Sequence, residues 1–281
     1  MRLMIDMQAT INNISGTKIR DGRMIWHLFT DMGNQFVTSF DVFPPARVVE
    51  KAENNMVAVM KVPKLNPGES FSPTVVLRID TTTRDWLIEP QPLSESEMKR
   101  MRGTLTRMHP YWETEDALVQ DISQSIAERS NNDESYSRLA YEIVRNTVKL
   151  RTHLDHRRGA ADAARSKEGD CDEFADLFVA LNRAVGIPAR RVVGHFYRSE
   201  EPEPHAWSEV YLQRLGWVPV DPALGSYGTL NEYYFSRIRE GLVSERPTIQ
   251  LKWNSSGAAR RGDSVSIEEE VKMSVLRNGE Y

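Results

Sequence analysis

The sequence of 281 residues contains a single cysteine, Cys171. One thiol excludes an internal disulfide framework and any zinc cluster that needs several thiolates. The chain must therefore fold without disulfides, and its free thiol is either buried or functional. The length and the 40% hydrophobic content are enough for one large core or two ordinary ones, and two agrees better with usual domain sizes.

Long apolar runs and an excess of one charge are also missing. Nowhere do about 18 apolar residues run together, so no membrane-spanning helix and no membrane partner are expected. The N-terminal stretch is interrupted by Arg2, Asp6 and Asn12, unlike the apolar run of a signal peptide, and we expect a cytoplasmic protein. The formal net charge is −4 without any basic tract, which argues against a nucleic-acid partner.

Residues 2–100 consist of short apolar or β-branched stretches that are separated by turn signals. The clearest turn signals are Ser15-Gly16, Asp21-Gly22, Pro44-Pro45 and Asn66-Pro67-Gly68. This pattern predicts an antiparallel β-sandwich. Residues 93–107 then have the composition of a polar connector, so we predict a sandwich domain over 1–105 and a second domain over 106–281.

Helical periodicity begins in the second domain. Apolar residues recur at a spacing of three or four in two segments, which predicts one helix from Thr114 to about Glu128 and another from Asp133 to about His153. Strands are predicted at 189–197, 205–212 and 217–222. The tail after Asn254 has a weak pattern that could supply strands at 264–276.

The stretch from Gly169 to Gly186 contains all the signals of a helix. Asp170 is a suitable N-cap, and Glu173 three residues later completes a capping box. Gly186 supplies a left-handed residue after the helix, and Pro188 prevents its continuation. One face is apolar and predicted to be buried: Phe174, Leu177, Phe178, Leu181 and Val185. Cys171 is therefore the first residue of a firmly anchored helix.

This position favours a reactive thiol at Cys171. The positive end of the helix dipole favours the nucleophilic thiolate, and the backbone N–H of Cys171 could hold an oxyanion. The carboxylates of Asp172 and Glu173 oppose this effect. The alternative is a buried structural thiol, which is the commoner fate of a lone cysteine, but the polar flanks of Cys171 do not resemble those of a core residue.

A histidine and an aspartate lie at the same end of a predicted β-hairpin. His205 opens one strand and Asp221 closes the next, with Gly216 between them. An odd number of loop residues would place both side chains on one face, whereas an even number would separate them unless a bulge intervenes. The sequence alone leaves this parity open.

Taken singly, His205 is typical of a surface strand end and Asp221 of a turn before proline. Together they supply what a thiol nucleophile needs, an imidazole that moves its proton and a carboxylate that orients the imidazole. The other histidines compete less well for this role: His27, His109, His153, His156 and His195. His195 is the strongest rival, but its position inside a strand favours a structural role.

Residues 169–222 resemble the core of the transglutaminase-like superfamily, as found in microbial proteins proposed to be cysteine proteases. The motifs are Gly169-Asp170-Cys171, the run from Leu181 to Arg190, Val193-Gly194, His205-Ala206-Trp207 with Glu209-Val210-Tyr211, and Gly216-Trp217-Val218-Pro219-Val220-Asp221-Pro222. The resemblance covers about residues 115–240 and extends more weakly to the sandwich. Asp172 departs from it, since relatives often carry an aromatic residue beside the cysteine.

The resemblance implies an α+β fold in which a papain-like core follows the sandwich and the nucleophile begins a helix packed on an antiparallel sheet. It implies that Cys171, His205 and Asp221 are nucleophile, base and orienting acid, and that His205 meets Asp221. Trp207, Trp217 and Asp172 are candidates for the substrate cleft, with core packing in the hairpin as the preferred alternative for the two tryptophans. Arg190 and Arg191 are assigned to a solvated strand edge, with a role in folding or carboxylate recognition as the alternative.

Three functions remain open. The first is a cysteine protease or amidase that forms a thioester on a peptide or protein substrate, and the second is amine transfer with the same triad. The third is a non-catalytic binding scaffold. No cofactor and no metal are expected, and the oligomeric state is left open. Hydrolysis is favoured because the sequence has no recognisable cue for a calcium site or a channel that admits a protein amine.

Overall fold

The computed structural model describes residues 1–152, 154, 156–198, 201–241, 247–255 and 265–276. The fold is α+β with mostly antiparallel sheets, as predicted. In chain order, strands β1 to β8 are Arg2–Asn13, Ile19–His27, Gln35–Phe43, Arg47–Lys51, Asn55–Val62, Ser70–Phe71, Thr74–Thr81 and Arg84–Asp85. Helices α1 to α5 are Glu95–Arg102, Ala117–Ala127, Asp133–Thr147, Ala160–Ser166 and Cys171–Ala184. Strands β9 to β18 are Lys149–Leu150, Glu168–Gly169, Ala189–Arg198, Glu201–Leu212, Gly216–Asp221, Ser226–Tyr227, Thr229–Leu230, Tyr234–Glu240, Ile249–Ser255 and Val265–Val275.

The N-terminal region is a sandwich of two antiparallel sheets. One sheet has the order β18-β1-β7-β3, with β6 also paired to β1, and the other has the order β17-β2-β5-β4. Every second residue of β1 from Leu3 to Ile11 is buried, as a strand with one face on a core requires. The two inner faces share one apolar cluster that includes Trp26, Met60 and Leu77.

The last two strands complete this sandwich. Strand β18 pairs with β1 along its length, from Leu3 opposite Val275 to Asn13 opposite Val265, and β17 pairs with β2. The structure thus differs from the predicted assignment of all of 106–281 to the second domain, while the boundary at residue 105 stays a prediction. Without β17 and β18, the long edges of β1 and β2 would be unpaired. The sequence pattern of β18 is weak because one face of this edge strand is largely exposed.

The second region is built on a sheet of order β14-β13-β12-β11-β16. Helix α5 packs on this sheet and is surrounded by α2, α3 and α4, with a shared core that includes Trp112, Phe178 and Val210. The predicted helices over 114–128 and from 133 are confirmed, but α3 ends at Thr147 because Val148 has an extended backbone. The predicted end of that helix at His153 lies outside the described residues.

Strand β16 joins the two regions through buried amide side chains of the sandwich. Gln35 Nε2 donates to Ser236 O at 2.9 Å, and Gln35 Oε1 accepts the Ser236 N–H at 2.8 Å. Asn55 bonds to both backbone groups of Arg239 in the same way, at 2.9 and 2.7 Å. These side-chain amides pair with backbone N–H and C=O groups at the edge of β16, as a neighbouring strand would.

The predicted polar connector contains a helix, which its composition did not indicate. Helix α1 begins after Ser94, whose hydroxyl accepts from the Glu97 N–H while the Glu97 carboxylate accepts from the Ser94 N–H. This capping box is visible in the sequence, but the segment has few apolar residues to reveal a period. Met101 alone of the described α1 residues is buried, against Leu105 and Tyr211. None of the helices in the described ranges is long and apolar enough to cross a membrane.

Candidate active site

Helix α5 begins at Cys171 as predicted. Asp170 is the N-cap, and its Oδ1 accepts the Asp172 N–H at 2.9 Å. Glu173 Oε2 accepts the Asp170 N–H at 3.1 Å, which closes the capping box. This arrangement engages the N–H groups around Cys171 and leaves the Cys171 N–H outside the cap. The sulfur therefore sits at a rigid helix start, half-buried, beside a donor that suits a developing oxyanion.

The hairpin register places His205 and Asp221 on one face of the sheet. Tyr211 lies opposite Trp217 and Leu212 opposite Gly216, so the loop contains residues 213, 214 and 215. An odd loop pairs odd positions with odd positions, which answers the parity question that the sequence left open. His205 Nε2 lies 2.7 Å from Asp221 Oδ2, and both side chains are buried.

Asp221 is held from three sides. Its Oδ2 accepts the hydroxyl of Tyr234 at 2.8 Å as well as the His205 ring, and its Oδ1 accepts the Leu224 N–H at 3.0 Å. Burial and the adjacent Asp221 charge raise the pKa of the Tyr234 hydroxyl, so Tyr234 is a firm donor. Sequence reasoning missed Tyr234, because no spacing connects an aromatic on β16 to a carboxylate on β13.

His205 contacts the thiol of Cys171 as well as Asp221. Because Nε2 is engaged by Asp221, Nδ1 is the ring nitrogen left for the thiol. Burial alone would lower the pKa of His205, but the hydrogen bonds to Asp221 and Cys171 outweigh it and raise the pKa to about 10. The imidazole is therefore protonated at neutral pH, next to the sulfur.

Aromatic rings enclose the histidine. The Trp207 ring is stacked on His205 with the ring centroids 6.1 Å apart, and Phe196 and Tyr234 approach the imidazole at 6.1 and 6.0 Å. Trp207 is fully buried, so it packs on His205 and presents no open surface to a substrate. This enclosure limits water around the His205–Asp221 pair and strengthens its electrostatics.

A glycine makes room for this arrangement. Gly194 lies opposite His205 on the neighbouring strand β11, and the pairing with β16 shifts between Val193 and Gly194. A Cβ at Gly194 would lie 1.9 Å from the carbonyl oxygen of Phe235. Strands β11 and β16 could not approach this closely with any other residue, which explains the glycine of the Val193-Gly194 motif.

The charge of Asp172 is balanced by an arginine. Asp172 Oδ1 forms an ion pair with Arg191 Nη2, and Arg191 Nη1 donates to Glu240 Oε2 at 2.9 Å. Arg191 is only 6% exposed and Arg190 likewise, so their prediction at a solvated strand edge was wrong. A strand between two others has no solvated edge, and acidic partners from other elements allow the guanidinium groups to be buried.

Two further buried acids support α5. Glu173 Oε1 accepts the Arg158 N–H at 2.7 Å, and burial raises its pKa to about 7. Asp176 accepts from the Trp112 indole at 2.9 Å and from Arg157 Nε at 2.7 Å, while burial raises its pKa to about 6. Sequence reasoning gave the capping box of Glu173 but missed its bond to Arg158 and the partners of Asp176, because these come from the segment before the helix.

The remaining predicted residues have other positions. Trp217 packs on Arg190, whose guanidinium carbon is 3.9 Å from the ring centroid, and lines a pocket away from the helix start. His195 packs on Phe29 with centroids 5.5 Å apart, and burial lowers its pKa to about 3. It serves packing, as predicted. Among the other histidines that were considered, His153 lies outside the described residues.

Three side chains at the helix start could in principle hold a metal ion. The ligand atoms of Asp170, Cys171 and Asp172 lie within 4.8 Å of one another. Both carboxylates already have partners, since Asp170 caps the helix and Asp172 pairs with Arg191. These two carboxylates therefore serve helix capping and charge balance.

The family model of the transglutaminase-like superfamily matches residues 120–222. The matched segment is transglutaminase-like and includes α5 and the hairpin. An uncharacterized protein of Bacillus subtilis, YebA, is 35% identical over 74 residues, which cover 21% of this chain and 10% of that protein. The peptide-N(4)-(N-acetyl-beta-glucosaminyl)asparagine amidase of Drosophila melanogaster is 39% identical over 59 residues, which cover 21% of this chain and 8% of that protein. The chain thus spans about a tenth of the length of these relatives.

Among solved structures, a proposed cysteine protease from Cytophaga hutchinsonii is similar over nearly the whole chain. Its TM-score is 0.64 at 19% sequence identity, with 99% of this chain and 91% of that chain covered. The similarity extends beyond the family match to the sandwich and its C-terminal strands. It shows that both regions together form a recurring fold.

Proposed function

We propose that this protein cleaves amide bonds by thiol-dependent acyl chemistry, with Cys171 as nucleophile, His205 as proton carrier and Asp221 as orienting acid. The observation that carries the proposal is the contact of one buried imidazole with both the only thiol and a fully buried carboxylate. A structural histidine would not need both partners. Peptide or side-chain amides are the substrate class.

The first half-reaction uses the proton that His205 already holds. The Cys171 sulfur attacks the amide carbonyl carbon, and the oxyanion that forms faces the Cys171 N–H at the helix start. His205 then gives its proton to the amide nitrogen, the C–N bond breaks and the amine leaves. A thioester on Cys171 and a neutral His205 remain.

The second half-reaction resolves the thioester. Neutral His205 takes a proton from water while the water oxygen attacks the thioester carbon, and the C–S bond breaks. The carboxylic acid leaves, the sulfur keeps the electron pair of the C–S bond, and the site returns to its starting state with His205 protonated. Asp221 keeps Nε2 engaged throughout, so that Nδ1 always points to the reacting atoms.

Amine transfer is the second candidate, because a primary amine can replace water in the second half-reaction with the same three residues. Hydrolysis is preferred because the matching Drosophila protein is named as an amidase, which cleaves an amide of an asparagine side chain. A non-catalytic scaffold is disfavoured, since a binding surface has no use for a protonated imidazole against a thiol.

Alkylation of Cys171 by iodoacetamide near neutral pH tests the proposal. We expect stoichiometric labelling, much faster than that of a free thiol, and its loss in His205→Ala. The matched control is His156→Ala, an exposed histidine outside the site, which should keep the fast rate. A slow rate that does not depend on His205 would refute the proposal.

The product then separates the two reactions. Incubation with candidate peptides and a fluorescent primary amine gives a labelled peptide if amine transfer operates. Both reactions release ammonia or a new amino terminus when the thioester forms, so the acyl product decides between them. A free carboxylate at the cleaved amide indicates hydrolysis, and a labelled peptide without that carboxylate would replace hydrolysis by amine transfer as the function.

A further inference from the structure

A second polar depression lies where the sandwich, the connector and the sheet of the second region meet, and its volume is about 530 Å³. We call it the arginine groove. Six of its lining residues matter for its chemistry: Arg84, Trp86, Arg190, Glu209, Trp217 and Arg239. Pockets between regions of a chain are common ligand sites, and this volume is in the range of small-ligand pockets.

One of the three arginines is fully occupied by partners. Arg190 Nε donates to Glu209 Oε2 at 2.7 Å, and Arg190 Nη1 pairs with Glu53 Oε2 at 2.5 Å. Its guanidinium also lies over the Trp217 ring. Arg190 therefore forms part of the wall and has little capacity left for a ligand.

Arg239 differs from Arg190. It is 5% exposed, and Nη2 donates to the carbonyl oxygen of Asp31 at 3.0 Å. Its Nε is 3.7 Å from Glu209 Oε2, too far for a hydrogen bond, and neither Nε nor Nη1 has a hydrogen-bond partner. Arg84 Nε, also at the groove, has no hydrogen bond either, although it lies 3.6 Å from Glu89 Oε2 and both Nη atoms donate to backbone carbonyl groups. Buried guanidinium donors without partners are costly, and a ligand that accepts hydrogen bonds would remove that cost.

The free donors and the acids around them select the class of ligand. Three arginines and two carboxylates, Asp31 and Glu209, line the groove, and Glu53 and Glu89 pair with Arg190 and Arg84 at its edge. A carboxylate matches the donor geometry of arginine and adds one negative charge among these acids, whereas a doubly charged phosphate would add two. Beyond Arg190 and Trp217, a second depression of about 250 Å³ continues towards Leu93 and Leu105. The site is thus elongated, as an extended chain requires.

We propose that the arginine groove binds a carboxylate of an extended peptide, with Arg239 and Arg84 as donors and the rings of Trp86 and Trp217 beside it. The carboxylate is either an acidic side chain or a peptide C-terminus. The peptide nature of the ligand rests on the proposed function, whereas carboxylate recognition does not. The site contains none of Cys171, His205 and Asp221.

Calorimetric titration of the full chain carrying Cys171→Ala tests this site without turnover. Three short peptides of equal length serve as probes: one with glutamates and an amidated C-terminus, one with glutamines and an amidated C-terminus, and one with glutamines and a free C-terminal carboxylate. We expect at least one carboxylate peptide to bind at least tenfold more tightly than the all-amide peptide. The tighter one identifies the source of the carboxylate. Equal affinities, or no binding of any peptide, would overturn the proposal.

Variants locate the site. Arg239→Gln should weaken the affinity for the carboxylate peptide at least tenfold, and Arg239→Lys should restore part of that affinity. Arg84→Gln, at the more exposed donor, is a second variant in case Arg239→Gln does not fold. Arg214→Gln, an exposed arginine paired with Glu134 outside the groove, is the control. Unchanged affinity in both Arg239→Gln and Arg84→Gln would refute the assignment. Cys171 alkylation in the wild-type chain tests the catalytic proposal separately.

Discussion

Two polar regions are built on the same sheet, and they differ in how completely their polar atoms are paired. In the candidate active site, both oxygens of Asp221 accept hydrogen bonds and His205 contacts a partner on either side. In the arginine groove, Arg239 retains donors without partners. The first region is complete before any substrate arrives, as proton transfer requires. The second becomes complete only when a ligand supplies acceptors.

Removal of the histidine should have the largest effect on the paired region. His205→Ala takes away the proton carrier, and we expect the rate of amide cleavage to fall by about 10³-fold or more. Steady-state kinetics with a cleaved peptide gives the rate. His156→Ala is the control. A fall of less than about tenfold would show that another group carries the proton.

Removal of the arginine that pairs with Asp172 should lower the free energy of unfolding of the protein. Arg191→Met leaves the carboxylate of Asp172 without its cation and removes one of the two arginines paired with Glu240, the other being Arg157, and we expect about 3 kcal/mol less stability in urea unfolding. Arg214→Met, at an exposed pair, should change nothing measurable. If Arg191→Met is as stable as the wild type, the ion pairs do not hold the helix start.

The hydroxyl of Tyr234 should have a smaller effect that is confined to catalysis. Tyr234→Phe removes one of the donors to Asp221 Oδ2, and we expect kcat to fall about tenfold with KM nearly unchanged. Tyr233→Phe, at the exposed neighbouring ring, is the matched control. A merely structural role would lower stability and leave the pH profile of kcat in place, whereas a positioning role shifts that profile.

The last test concerns the dependence of stability on pH. Because the pKa of His205 rises from its ordinary 6.5 to about 10 in the folded protein, its stabilising contribution is complete below about pH 6.5 and is lost as pH rises through about 10. The difference in unfolding free energy between the wild type and His205→Ala should shrink over that interval. Urea titrations at several pH values measure it. A difference that grows with pH would show that the folded protein prefers a neutral His205.

The sequence was informative where local rules decide the structure. Asp170 and Glu173 lie three residues apart, so their capping box and the start of α5 at Cys171 followed from spacing alone. His205 and Asp221 needed one further fact, the loop parity, which only the register supplies. The pairing of Asp172 with Arg191 links α5 to β11, and no local pattern reports such a partner. The same holds for Tyr234.

The partner of the last strand and the presence of helix α1 were missed for a related reason. The weak alternation of Val265–Val275 is normal for an edge strand, and the sequence cannot say which edge it joins. Helix α1 was missed because its charged surface hides the period, although Ser94 and Glu97 mark its start. In both cases, the deciding contacts come from residues far away in the chain.

The pairing of β18 with β1 has a consequence for synthesis. A ribosome makes Leu3 first and Val275 more than two hundred residues later, yet these residues lie opposite each other. The helices and the central sheet can assemble while the sandwich still waits for its last two strands, which makes closure of the sandwich a late event. Nascent chains stalled at about residue 245 should therefore be cut by protease within residues 2–62, whereas those that include residue 275 should resist. Equal resistance of both would mean that the sandwich forms without its final strands.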